Sequence, residues 1–404
     1  MTSLNLSILK PRFISMHYLV GILFIFFALL PYVNFGLNGR DSQPWAFLFS
    51  SLFLLINFSN KLPVLVYSYL LIPIISVYVW FFYSDLVLDF IIVRAIINYL
   101  TFTFCLIGFL YFLKEYGFPW KFFIFINLLY IVIAIIQLYI PDIVSSIVSQ
   151  RGTRESGRGV QSLASEPTSF GLVLFFFSFI YIAAANFKIN NGLSYLLAAN
   201  FFTIIFLAGS SMVIIYMLLA LVFIFAFINL KMKILIIFLL YLISFLVLEY
   251  LEGSRILFIV NNFADRGLIQ YIFFDESIND RLAHVIFSIH GSFLNNLLPG
   301  GFNSFPKMQQ ELMLVYEGFF YYPNYTASIL SFFGAFVYEL GIFGYFIMLF
   351  IFIHCQNGSL IRLAAVIYLF IVLNSAIPIA FPFVPFLFAI LIHLNTKNKY
   401  FKYI

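Results

Sequence analysis

Charged residues are scarce in this chain, and their scarcity excludes whole classes of protein. They make up 9% of its 404 residues, whereas 64% of the residues are hydrophobic. Soluble domains carry about 25% charged residues, so the composition excludes a soluble enzyme. The net charge of +5 is small for a chain of this length, and we expect no nucleic acid among its partners.

Cysteine is almost absent as well. Cys105 and Cys355 are the only two, and both lie within or at the ends of apolar segments. This excludes a disulfide framework and a cysteine-based zinc site. His284 and His290 lie six positions apart without a nearby cluster of carboxylates, which makes a poor metal site. We therefore predict neither a metal nor a cofactor.

The first apolar segment lacks the features of a cleavable signal. Lys10 and Arg12 precede it, but Pro31 and Asn34 lead into a charged turn without a small-residue cleavage site. We expect this segment to remain as a membrane helix. Internal repeats, heptads and low-complexity linkers are also missing, so residues 1–404 are predicted to form a single integral membrane domain.

The chain does contain a succession of long apolar segments. Each is long enough to cross about 30 Å of hydrocarbon, and it must be helical because lipid offers no partner for bare backbone amides. Their approximate limits are residues 18–36, 44–60, 62–83, 87–113, 120–141, 169–187, 193–209, 212–230, 233–250, 326–353, 359–377 and 379–395. We therefore predict an all-α polytopic membrane protein with about twelve transmembrane helices.

Lysine marks one side of this arrangement. If the N-terminus is inside and the segments alternate, the only acid in the inner loops is Glu115. The basic residues of these loops are Lys10, Arg12, Lys61, Lys114, Lys121, Lys188, Lys231, Lys233, Arg362, Lys397, Lys399 and Lys402. The positive-inside rule then places both termini in the cytoplasm.

Arginine marks the other side. The basic residues of the outer loops are Arg40, Arg151, Arg154, Arg158, Arg255, Arg266, Arg281 and Lys307. Topology alone does not distinguish lysine from arginine, but arginine forms planar, bidentate contacts with phosphate or carboxylate. The enrichment indicates an outer phosphate-binding site. The alternative is that these arginines pair with acids in exposed loops.

Two outer loops are long, residues 142–168 and 251–325, and long loops more often carry function than merely connect. In the second loop, apolar residues recur at helical steps from Arg281 to Leu298. We predict an amphipathic helix there, outside the bilayer, with Asp280 as its N-terminal cap.

The polar face of this helix holds candidate catalytic groups. Arg281, His284 and Ser288 fall on one face, although a packing helix with a polar face is an equal alternative. His284 and His290 are the only outer histidines. An imidazole accepts a hydroxyl proton near neutral pH, so each is a candidate base, the alternative being polar surface.

Two glutamates are also candidates. Glu166, before Pro167, would act as a base, hold an arginine in place, or simply start a helix. Glu339 lies inside an apolar segment, where a charge is unfavourable and usually faces protein or water. Gly341 and Gly344 beside it would permit close helix approach. A proton relay at Glu339 is one possible role.

The order and placement of these motifs resemble the O-antigen polymerase and ligase superfamily. The signature of the first loop is an arginine, a serine, a Glu-Pro pair and a glycine, here Arg158, Ser162, Glu166, Pro167 and Gly171. The second loop is similar, with Arg281, an amphipathic helix, Pro299-Gly300-Gly301-Phe302, Asn324, Glu339, Gly341 and Gly344.

The resemblance implies a GT-C-type glycosyltransferase fold in the bacterial inner membrane, with the two long loops in the periplasm. It implies undecaprenyl-diphosphate-linked oligosaccharide as donor and acceptor, and transfer without a metal. Arg158 and Arg281 would bind the diphosphate, with Arg255 and Arg266 as further candidates. Besides the lipid bilayer, a polysaccharide chain-length regulator is left open as a partner.

Within the superfamily, the resemblance favours a polymerase of repeat units. The ligase branch usually carries a histidine directly before the asparagine that closes the large loop, whereas here Pro323 precedes Asn324. The alternatives are a ligase, which transfers glycan from undecaprenyl diphosphate to lipid A-core, and a flippase for the lipid-linked oligosaccharide. Transporters usually show repeated halves and midplane charges, which disfavours the flippase.

Overall fold

The computed structural model describes residues 16–35, 43–57, 64–84, 89–144, 147–148, 159–227, 276–320, 328–356, 359–375 and 377–400, with residues 265, 267 and 270. In these ranges the chain is helical. The one β-pairing among them is an isolated antiparallel bridge between Val33 and Val148. The predicted all-α class is therefore confirmed for the described part of the chain.

The α-helices are numbered in chain order within the described ranges. They are α1 (Met16–Leu29), α2 (Trp45–Ile56), α3 (Val64–Tyr67), α4 (Leu71–Tyr83), α5 (Phe90–Tyr116), α6 (Trp120–Tyr139), α7 (Pro167–Ala184), α8 (Asn191–Thr203), α9 (Ser211–Phe227), α10 (Glu276–Leu294), α11 (Phe305–Val315), α12 (Phe332–Glu339), α13 (Ile342–Cys355), α14 (Leu360–Leu373) and α15 (Phe383–Tyr400). A π-helical turn, Ile204–Ala208, extends α8.

Among the described residues, four helices are long and apolar enough to cross a membrane: α5, α6, α7, and α8 with its π-helical extension. Shorter apolar helices accompany them in α1, α2, α4, α9, α13, α14 and α15. The protein is a helical membrane protein with several spans. The predicted segment 233–250 lies outside the described residues, and each of the other predicted segments overlaps at least one of these helices. The total of twelve crossings stays a prediction.

Local sequence explains several helix ends. Asn190 accepts a hydrogen bond from the Leu193 N–H at 2.8 Å and so caps α8. Ser331 caps α12 in the same way through the Gly334 N–H. Gly117 ends α5 with a φ of +76°, a conformation that glycine adopts without strain.

The core is aromatic and centres on α15. From Phe383 to Ile392 every residue of α15 is buried, as expected of a helix that is apolar on all sides. Its Phe386 stacks on Phe109 of α5 with ring centroids 4.1 Å apart, and Phe383 meets Phe177 of α7 edge-on at 5.0 Å. Lipid tails are as apolar as these side chains, so the hydrophobic effect does not hold helices together inside a membrane. Close ring contacts of this kind stabilise the helix packing instead.

The predicted continuous helix over residues 326–353 is interrupted. α12 ends at Glu339 and α13 starts at Ile342. Between them Gly341 has a φ of +59°, and a Cβ atom there would lie 2.5 Å from the Pro299 nitrogen. The chain around Pro299 fills this break, since Ile342 N–H donates to the Leu297 carbonyl oxygen at 2.7 Å. The glycine therefore admits another backbone segment rather than a neighbouring helix face.

The amphipathic helix of the second loop is displaced toward the N-terminus. It was predicted over Arg281–Leu298 with Asp280 as cap, but α10 starts at Glu276, which places Asp280 inside it. α10 ends at Leu294 because Asn296 and Leu297 take left-handed φ values of +56° and +62°. Leu297 N–H then closes the end by donating to the Ser292 carbonyl oxygen at 2.8 Å.

Candidate functional site

The end of the first long loop is buried among helices. Val160 N–H donates to the Leu207 carbonyl oxygen, in the π-helical turn, at 2.8 Å. Ser162 N–H donates to Gln137 Oε1 at 2.8 Å, and its hydroxyl donates to the Tyr130 carbonyl oxygen at 2.6 Å. These bonds anchor the segment on α6 and on the extension of α8. They fix the approach of the chain to Glu166.

Glu166 is the residue before α7, and its carboxylate contacts Arg281 of α10. Arg281 Nη2 and Glu166 Oε1 lie 3.6 Å apart, with 17% and 30% of the two side chains exposed. The Glu166 side chain makes no capping hydrogen bond to α7. Two residues singled out in separate long loops thus meet, and the geometry favours an arginine-holding role for Glu166 over a purely helix-starting one.

The hydroxyl of Tyr216 in α9 lies close enough to Arg281 for the guanidinium charge to act on it. Tyr216 donates to Ser375, just after α14, and its carbonyl oxygen accepts from Tyr368 at 2.6 Å. No sequence pattern points to these residues, because single hydroxyl groups inside apolar segments are common and nothing marks the ones near a charge.

Two buried polar groups near the start of α7 make no hydrogen bond to any described residue: the Ser210 hydroxyl and the Gln161 amide nitrogen. Ser210 adjoins α7, since its Cβ lies 3.5 Å from where a Cβ on Gly171 would stand. Leaving a buried donor unpaired costs about 1–3 kcal/mol. Such groups in native proteins call for an explanation, and a bound ligand is one.

His284 lies one turn after Arg281 and is fully buried. Its Nδ1 accepts from Leu330 N–H at 3.4 Å, and its ring faces Phe305 at 5.4 Å. Its Nε2 is 4.0 Å from an Asp280 oxygen, too far for a hydrogen bond. Burial lowers the pKa of His284 to about 4. A neutral ring with no exposed atom favours packing over contact with a substrate hydroxyl.

His290 has a different environment. It is half-buried, and its Nδ1 lies 3.0 Å from the Tyr316 hydroxyl. The structure therefore does not bring the two histidines to one point. Within the described ranges, no three His, Cys, Asp or Glu side chains come together in a group that would hold a metal ion.

The polar face of α10 packs inward. Ser288 and Ser292 are fully buried, as is His284. Gly334 of α12 makes room for the Ser288 hydroxyl, because a Cβ atom there would overlap it. In contrast, Phe293 is 58% exposed. The helix has the predicted polar and apolar faces, and the polar face is the more deeply buried of the two.

Glu339 lies in the protein interior rather than in lipid. One of its carboxylate oxygens accepts a hydrogen bond from Tyr99 of α5 at 2.7 Å. Its carbonyl oxygen accepts from Gly301 N–H at 3.3 Å, beside the break between α12 and α13. Glu339 thus joins α5, through its side chain, to the segment that enters the break, through its main chain.

The remaining predicted binding residues, Arg158, Arg255 and Arg266, lie outside the described residues, as does Asn324. Comparison with protein-family models, with curated proteins and with solved structures finds no match to this chain. The fold defines the class of this protein as a helical membrane protein. Because no match was found, the family resemblance stays a prediction from the motifs.

Proposed function

We propose that this protein is a polymerase of undecaprenyl-diphosphate-linked oligosaccharide repeat units, acting by metal-independent glycosyl transfer at the periplasmic face of a bacterial inner membrane. The observation that supports it is the contact between Arg281 and Glu166. It joins the two long loops at the start of a membrane-spanning helix, where a lipid-linked diphosphate would reside. The GT-C-type fold is part of the same proposal.

In the proposed reaction, the acceptor hydroxyl oxygen attacks the anomeric carbon of the donor. The bond from that carbon to the diphosphate breaks, and undecaprenyl diphosphate leaves with the electron pair. Arg281 stabilises the charge that grows on the diphosphate. A fixed guanidinium in a poorly hydrated site does this without reorganisation.

The surroundings of Arg281 suit this role. A guanidinium has five N–H donors, and the ion pair that Arg281 makes within the described residues, at 3.6 Å to one carboxylate oxygen, leaves most of them for a ligand. Near the start of α7, Ser210 and Gln161 hold neutral donors that lack partners in the described part of the chain. Arg158, next to the described Gly159, is proposed as the second diphosphate contact, with Arg255 and Arg266 as further ones.

The acceptor proton needs a base within hydrogen-bond reach. Glu166 is proposed for this step, since its carboxylate is 30% exposed and touches the residue that would hold the leaving group. Until the diphosphate binds, the same carboxylate orients Arg281. His290 is the second candidate, because it is half-buried and hydrogen-bonded to Tyr316.

Substitution of Arg281 tests the proposal directly. In a strain lacking the native gene, Arg281→Ala should abolish long polymer while single-repeat product and protein level persist. Removal of a transition-state donor costs about 100- to 1,000-fold in rate. Glycan ladders on gels measure the result, and Lys307→Ala, at an exposed lysine of α11, is the matched control.

Normal ladders from Arg281→Ala would show that the diphosphate assignment is wrong. The deletion strain alone separates the alternatives. A polymerase deletion still attaches one repeat to the lipid acceptor, whereas a ligase deletion attaches none and accumulates lipid-linked chains.

A further inference from the structure

A cleft opens at the end of α7 opposite to Glu166. It has a volume of about 630 Å³ and lies between the first turns of α6 and α8, beside the loop that follows α7. Ile124, Leu193 and Leu196 form its apolar walls, and Trp120, Lys188 and Gly192 also line it. The cleft lies on the side where the predicted topology places the lysine-rich loops, and Arg281 lies at the opposite end of α7.

Hydrogen bonds between helices hold the walls of the cleft. Asn127, one turn beyond Ile124, donates from its amide to Asn200 Oδ1 of α8 at 2.9 Å. Asn200 in turn donates to the Ser178 hydroxyl of α7 at 2.9 Å. The helices are therefore fastened together next to the cleft, on the side that lies deeper in the spans.

The mouth of the cleft is fixed as well. Trp120 stacks on Tyr181 of α7, with ring centroids 6.1 Å apart and an interplanar angle of 16°. The loop that carries Lys188 is held by the buried Arg362, which donates to Asn186 Oδ1 at 2.8 Å. The aromatic side of the mouth is thus part of a helix, and the loop on the basic side is held by one.

The chemistry of the cleft matches an amphiphile with a negative head. Its apolar walls continue the faces of two helices that cross or approach the lipid. Lys188 is exposed at the mouth, where an ammonium attracts anionic head groups. Tryptophan prefers this level of a membrane because its ring is apolar and its N–H is polar. The first turns of α6 and α8 add partial positive charge.

We propose that this cleft binds a membrane lipid with a negatively charged phosphate head group. Lys188 contacts the phosphate, and the start of the apolar chain lies along Ile124, Leu193 and Leu196. Two lipids share this chemistry, an anionic glycerophospholipid and a polyprenyl phosphate. The site lies at the other end of α7 from Arg281 and does not depend on the polymerase proposal.

Native mass spectrometry of the full chain, released from detergent micelles, tests the proposal. The protein is mixed with equal amounts of phosphatidylglycerol and phosphatidylcholine, and in a second arm with undecaprenyl phosphate and phosphatidylcholine. We expect the anionic lipid adduct to exceed the zwitterionic one by about fivefold, the gain expected of one basic side chain beside a charged head group. The arm with the stronger preference identifies the source.

Two variants with matched controls localise the binding. Lys188→Glu should remove the preference, whereas Lys114→Glu, at an exposed lysine that contacts Glu115 at 3.8 Å, should keep it. Gly192→Trp should fill the cleft and reduce all lipid adducts. Gly192→Ala should not, because its Cβ would meet nothing closer than the Asn190 side chain at 3.7 Å. Equal adducts of anionic and zwitterionic lipid in both arms, or a preference unchanged by Lys188→Glu, would overturn the proposal.

Discussion

The two ends of α7 offer different surroundings to an anion. At the first end, Glu166 contacts Arg281, whose side chain is only 17% exposed. Past the last residue, Lys188 is exposed at the mouth of a cleft. A guanidinium keeps planar donors when partly dehydrated, whereas a strongly hydrated ammonium stays near water. The first end is therefore suited to hold a phosphate inside the protein, and the second to meet one at the membrane surface.

The two ends also differ in how closely their backbone is packed. The segment Gln161–Ser165 before α7 is buried throughout. In contrast, the residues that follow α7 are exposed at Lys188, Ile189 and Asn190. Close packing fixes the direction of side chains and so suits chemistry. An open cleft suits a ligand that exchanges with the bilayer.

Acidification should destabilise the fold mainly at the end of α7 near Arg281, because His284 is buried there. Its pKa is lowered by burial to about 4, against 6.5 for an ordinary histidine. Stability is therefore full above about pH 6.5 and falls as the pH drops toward 4, because the unfolded chain binds the proton first. The loss should reach about 3 kcal/mol near pH 4. Thermal unfolding in detergent, from about pH 7.5 to about pH 4.5, measures it.

His284→Gln should flatten this pH dependence, since the titrating group is removed. His290→Gln removes the other histidine of α10 and should leave the dependence in place. A pH profile of His284→Gln that matches the native profile would show that another group causes the acid sensitivity.

The same substitution at two glycines compares the packing of the two ends. In Gly159→Ala, the new Cβ would overlap the Leu207 and Ala208 carbonyl oxygens, which are backbone atoms that cannot turn aside. We expect a loss of about 1–3 kcal/mol in unfolding free energy, as for other overpacked sites. Long polymer should fall with it, because the displaced segment leads directly to Glu166.

Gly192→Ala, at the other end, should instead raise the free energy of unfolding. Among the described residues its Cβ meets only the Asn190 side chain, at 3.7 Å, and alanine in a helix is more stable than glycine by about 0.5–1 kcal/mol. The unfolding midpoints of the two variants measure these opposite effects on stability, and glycan ladders from the same variants measure polymer length. Equal destabilisation by both would contradict the difference in packing.

Much of the fold could be predicted from the apolar segments, because a segment that crosses the bilayer must be helical. The break after Glu339 did not follow, because it depends on the chain around Pro299 entering from elsewhere. Gly341 indicated a close approach but not its partner. The start of α10 at Glu276 was missed because the residues before Asp280 carry no strong apolar period.

The candidate site was partly predictable. Glu166 and Arg281 were each singled out by charge and position, and the hypothesis that Glu166 holds an arginine agrees with their contact. The contact itself joins distant parts of the chain, which local patterns do not reveal. Tyr216 and Ser375 were missed because hydroxyl groups in apolar helices have no distinctive spacing. Charge thus pointed to the residues, and the contact between Glu166 and Arg281 brought them together.

The smallest expected effect concerns the hydrogen bond that joins α6 to α8 beside the cleft. A double-mutant cycle of Asn127→Leu and Asn200→Leu should give a coupling energy of about 0.6 kcal/mol, the usual value for such bonds between membrane helices. Unfolding in mixed micelles measures it. Thr103→Val is the control, because among the described residues this buried hydroxyl bonds only within its own helix, to the Tyr99 carbonyl oxygen at 2.9 Å.

Lipid binding makes this small effect informative. If the bond between Asn127 and Asn200 keeps the walls of the cleft in place, both single variants should weaken the preference for anionic lipid while polymer length stays normal. Loss of polymer instead would mean that the two ends of α7 are mechanically linked. A coupling energy of zero with an unchanged lipid preference would show that the bond between Asn127 and Asn200 does not shape the cleft, and that packing on α7 does.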